Sequence, residues 1–147
     1  MAIEYTLHLD SDASTLDLHE IICACIGEDS GALRTGVLAF SGNGIQGTVY
    51  VPDDVTRRFI REDFSFDVRV QIGLRLDKFE LERAQKTLVR CISEIIRADD
   101  GDMMLSFNGD LVVLRRTAGD LVLREGFGVW TAERLALLET PYRVGSV

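Results

Sequence analysis

Over residues 3 to 10, Ile3, Tyr5, Leu7 and Leu9 alternate with Glu4, Thr6, His8 and Asp10, which predicts a strand with one buried and one wet face, His8 on the wet side. A helix over residues 15 to 26 follows from Leu18, Ile21, Ile22 and Cys25, with Ser14 as N-cap, Asp17 in the first turn and Gly27 as the stop. His19 falls beside Glu20 and reads as a surface residue. Residues 33 to 40 and 45 to 51 are strand-like, and residues 52 to 63 suit a short helix starting near Pro52 or Asp53. The alternation over 66 to 77 is the cleanest in the chain, with Phe66, Val68, Val70, Ile72, Leu74 and Leu76 on one side. A long helix over about 78 to 98 carries Leu81, Ala84, Leu88, Cys91, Ile92 and Ile95 at helical spacing, with Glu82 and Lys86 as an outer i,i+4 pair. Three short strands then form a meander with turns at Asn108-Gly109 and Ala118-Gly119-Asp120. Thr131 caps a closing helix over 131 to 139, which Trp130 packs onto the sheet.

So few helices cannot cover both faces of a parallel sheet. The predicted class is α+β: a mainly antiparallel sheet of about six to seven strands, two main helices on one face, and short extra helices. At 147 residues the chain fits a single domain, 1–147, able to bury roughly two-thirds of its unfolded surface.

The glycines Gly42, Gly44 and Gly47 match G-x-G-x-x-G, but a dinucleotide loop must lead from a strand into a helix whose free N–H groups hold the pyrophosphate. Gly47 lies inside the strand-like run IQGTVYV, so Asn43-Gly44 reads as a hairpin turn. Cys23 and Cys25 point about 200° apart on a helix and cannot close on one ion, so these two and Cys91 read as structural thiols. Asp99-Asp100-Gly101-Asp102 lacks the spaced ligands of a calcium loop and reads as a turn that ends a helix. Arg57, Arg58 and Arg61 form a small basic face balanced by Glu62 and Asp63. With two histidines, both on predicted wet faces, a nucleophile-base pair has little to draw on. The expectations are no enzyme activity, no metal and no cofactor.

Charge placement adds a different signal. The first 33 residues hold seven acids and no Lys or Arg, while the rest holds 17 acids against 16 bases, so nearly all of the net −8 lies at one end of the sequence. Such a field disfavours nucleic acid and membrane surfaces as partners and favours basic proteins, although a solvated face that aids solubility is the plainer reading. No apolar run approaches the ~20 residues of a membrane span, and the start MAIEYTLHLD lacks a basic, apolar leader, so a cytoplasmic location is expected.

The phrases MAIEYTLHL, MMLSFNGDLVVLRR and VWTAERLALLETPYR together resemble the third family of swarmer-inhibition immunity proteins, small bacterial proteins of polymorphic toxin systems. The resemblance implies a protein that binds and neutralises a cognate toxin without catalysis. Combined with the charge placement, it makes Asp10, Asp12, Asp17, Glu20, Glu28 and Asp29 the candidate toxin-binding residues, able to occupy a basic groove as a phosphate mimic. One alternative is a small-ligand-binding or regulatory domain with a pocket on the open sheet face or near Trp130. Another is an interaction module that dimerises through a sheet edge, and homodimerisation is compatible with an immunity role as well.

Overall fold

The chain runs through β1 (Ile3–Leu9), α1 (Thr15–Ile26), β2 (Leu33–Arg34), β3 (Val37–Gly42), β4 (Ile45–Tyr50), α2 (Asp54–Phe64) and β5 (Val70–Leu76). A 3-10 turn at Lys78–Glu80 then leads into α3 (Leu81–Ala98), β6 (Met103–Phe107), β7 (Leu111–Thr117), β8 (Asp120–Arg124), α4 (Ala132–Leu135) and β9 (Arg143–Gly145). The computed structural model describes residues 2–27, 33–34 and 37–147.

The described strands form one sheet in the order β2-β3-β4-β5-β1-β6-β7-β8-β9. Every junction is antiparallel except β8–β9, which is parallel. The sheet exceeds the six to seven strands of the sequence reading through its two edges, of two and three residues, too short to show a period. Hairpins follow the local turn signals: Asn43 and Gly44, Asn108 and Gly109, and Ala118 and Gly119 all take positive φ.

The first strand lies in the middle of the sheet, between β5 and β6, where a fully buried face suits Tyr5, Leu7 and Leu9. Those side chains meet Ile72 and Leu74 of β5, Leu105 of β6, Leu18 and Ile22 of α1, and Leu88 and Ile92 of α3 in one core. Both main helices therefore cover the same face of the sheet. Ser14 and Asp17 close a capping box at the start of α1, and Gly27 ends that helix in the left-handed region. Among the described residues, the arginines of α3 pair as Arg83–Glu80, Arg97–Glu94 and Arg97–Glu139, in place of the predicted Glu82–Lys86.

The opposite face is covered over part of its area. Ile60 of α2 packs there with Phe66, Val68, Met104 and Val112 in a second cluster. Asp53 caps α2, and Arg57 and Arg61 pair with Asp67, beyond the end of the helix, in place of the expected Glu62 and Asp63. The closing helix is shorter than predicted: Thr131 caps it, but regular helix spans only Ala132–Leu135 and continues as turns to Leu138. Trp130 packs against the main core and donates its Nε1–H to the Val113 carbonyl at 3.0 Å. Among the described residues, no helix is long and apolar enough to cross a membrane.

Both histidines depart from the sequence reading. His8 is 7% exposed, because the second cluster covers its side of β1, and its ring lies between Gln71 and Ser106. His19 is 6% exposed, because β3 runs beside α1; its Nε2 lies 2.8 Å from the Ala39 carbonyl oxygen.

Candidate functional site

At the C-terminal end of β1, the turn into α1 meets the turn between α3 and β6. The Asp10 backbone N–H donates to the Asp102 carbonyl at 2.9 Å, which brings two acid-rich turns side by side. Gly101 makes this approach feasible, since a Cβ there would lie 1.8 Å from the Asp10 carbonyl oxygen. Ser11 is buried under the junction and donates its hydroxyl to Asp99 Oδ1 at 2.9 Å.

Two arginines organise the carboxylates. Arg69, just before β5, donates Nε to Asp10 at 2.8 Å and Nη1 to Asp12 at 2.6 Å. These bonds, to Asp12 first and Asp10 second, hold its guanidinium above the ordinary arginine range. Arg116 of β7 is 6% exposed and fixes the end of α3 by donating to the carbonyls of Ile96, Asp99 and Gly101. Burial pulls its pKa down against the opposing pull of Asp99, Asp100 and Asp102. Asp102 Oδ1 in turn accepts the Ala118 N–H at 2.9 Å, which ties the β7–β8 hairpin to the same corner.

Of the six candidate residues, Asp10 and Asp12 thus come together on Arg69. Asp17 spends its carboxylate on the capping box, and Glu20 is exposed on α1. Glu28 and Asp29 lie outside the described residues. Asp10 and Asp12 also line a surface depression with Asp99, Asp100 and Asp102, three acids that the sequence reading assigned only to a turn. Their acidity was legible, but their position was not, because it depends on β6 pairing with β1.

The cysteines lie in or against the main core. Cys91 is buried in it with Cys23 and Cys25 partly buried against it, and the Cys91 thiol donates to the Cys25 sulfur across the α1–α3 contact. That bond and burial push the Cys91 thiol well above its ordinary range, so it stays protonated. Among the described residues, no group of three or more His, Cys, Asp or Glu is placed to hold a metal ion.

Residues 3–134 match the model of a protein family described as SitI3-like. No curated protein and no solved structure matches the chain.

Proposed function

Because the chain belongs to the SitI3-like family, we propose that it is an immunity protein that binds a cognate bacterial toxin and neutralises it without chemistry of its own. The observation that carries this reading is the extent of the family match, which runs from β1 into α4 and so takes in both main helices and eight of the nine strands.

The acidic corner is the surface proposed to meet a basic toxin. Asp10 and Asp12, joined by the carboxylates of Asp99, Asp100 and Asp102, outnumber Arg69 and Arg116 at that corner, and Asp17 and Glu20 follow on α1. Glu28 and Asp29 extend the set in sequence. A charged surface of this kind steers a basic partner and accelerates encounter more than it tightens the final complex. Asp12 has 95% of its side chain exposed, so its pairing with Arg69 offsets little of its outward field.

The test is association of the purified chain with the product of the open reading frame adjacent to its gene, carried in an inactivated form. Asp12→Asn, Glu20→Gln, Glu28→Gln, Asp29→Asn and Asp100→Asn in one variant should slow association by roughly tenfold at low ionic strength and flatten its salt dependence. Unchanged rates and an unchanged salt slope would remove the acidic corner from the interface while leaving the immunity reading in place.

A further inference from the structure

The sheet face away from α1 and α3 is left partly uncovered, and its uncovered part is concave. A cavity of about 620 Å³ opens there across four adjacent strands, β3, β4, β5 and β1. Its floor is Gly73, which pairs with Thr6 on one side and Thr48 on the other. Tyr50 stands beside Thr48 on the same face of β4, and Glu4 and Arg75 face each other in the β1–β5 register at the other margin.

Gly73 has no packing reason to be glycine. A Cβ on Gly47 would lie 1.9 Å from the Gly73 carbonyl oxygen, and one on Gly101 would lie 1.8 Å from that of Asp10, so those two glycines are required by the protein's own backbone. A Cβ on Gly73 would meet Thr48 Oγ1 at 3.8 Å and Tyr50 Cε1 at 3.9 Å, ordinary contacts. Glycine in the middle of a strand weakens it, and where the fold does not ask for one, close approach of another molecule is the remaining physical reason. Glu4 and Arg75 add a second observation. Both are exposed, and among the described residues neither makes an ion pair, although each carries a full charge at the cavity margin.

We infer that this cavity is a docking site for a segment of the toxin, whose backbone passes over Gly73 while a cationic side chain meets Glu4 and a carbonyl or carboxylate meets the Arg75 guanidinium. The inference rests on the immunity reading. A protein segment suits the site because it is a broad, open concavity, whereas a small ligand is held by burying most of its surface. A foreign chain suits it better than a second copy, because two molecules each carrying −8 repel one another while a basic protein is attracted. Further along the chain from Tyr50, the apolar Val51, and Val55 and Phe59 of α2, are exposed.

Gly73→Val tests this directly, because valine suits an extended strand and fills the floor of the cavity. With the inactivated product of the adjacent open reading frame as the probe, the variant should keep or raise its melting temperature and bind at least roughly tenfold more weakly, about 1.4 kcal/mol. Arg75→Glu, at an exposed site that the fold does not use, should weaken binding independently, which keeps the test decisive if the valine variant misfolds. Wild-type affinity in both variants would overturn the docking site while wild-type binding still upheld the immunity reading. Wild-type protein that fails to bind the probe would remove both. A dimer of the wild-type chain alone that Gly73→Val converts to monomer would assign the cavity to a second copy, and a metabolite that raises the melting temperature of the wild type but not of the variant would assign it to a small ligand.

Discussion

Gln71, His8 and Ser106 form a buried polar chain across β5, β1 and β6, on the face covered by α2. The Gln71 amide donates to His8 Nδ1 at 2.7 Å, which leaves the ring proton on Nε2, 3.2 Å from the Ser106 hydroxyl. Burial holds the imidazole in its neutral form and lowers its pKa to about 4. An unfolded histidine titrates near 6.5, so between that value and about 4 the unfolded chain binds the extra proton. The stability contribution of His8 is therefore complete above pH 6.5 and is lost as the pH falls toward 4. Urea titrations should show the stability advantage of wild type over His8→Gln shrinking by roughly 2–3 kcal/mol from pH 7 to pH 4.5, and an advantage that does not move with pH would refute the assignment. Arg116 is the other residue whose burial decides its role. Truncation to methionine strips the Ile96, Asp99 and Gly101 carbonyls of their shared donor and should cost about 3 kcal/mol in chemical denaturation. Neither role was legible in the sequence. His8 alternates correctly for a wet face, and only the passage of α2 and the Phe66–Val68 segment over that end of the sheet makes it dry.

Elements fixed by their own turns were legible, and those fixed by distant partners were not. Asn43-Gly44 carries its conformational preference locally, so the hairpin could be distinguished from a nucleotide loop before any tertiary contact was known. The structure adds why this tip is well held: the Gly44 carbonyl accepts from Asp77, the Asn43 carbonyl accepts from Thr87 on α3, and Arg83 donates to the Asn43 side chain. The meander and the amphipathic stripe of α3 were likewise written in short-range pattern. By contrast, β9 is three residues beyond Pro141, and α1 buries His19 through a contact with β3 that its own periodicity does not encode. Glycine substitutions separate the two kinds of constraint within the sheet. Gly47→Ala forces a methyl into the β4–β5 ladder and should lose about 2–3 kcal/mol, whereas Gly73→Ala, across the same ladder, should be neutral or stabilising. Paired melting curves of the two variants check this, and equal destabilisation would contradict the reading of Gly73.

At the scale of the whole molecule, the decisive arrangement is the placement of β1 at the centre of the sheet. It puts the acid-rich first turn against the α3–β6 turn and leaves the cavity of the other face spanning β3 to β1. Sequence showed the charge imbalance and the α+β class, but strand order lies beyond hairpin signals, so the acidic corner was visible only in half. In the proposed function two surfaces serve one partner: the acidic corner would draw a basic toxin in and the concave sheet face would hold a segment of it. The most direct measurement is survival of a heterologous bacterial host that expresses the open reading frame adjacent to this gene, with and without this chain. An immunity protein should let the host grow when the neighbouring gene, expressed alone, kills it. A lethal neighbour that this chain fails to counter would contradict the immunity reading.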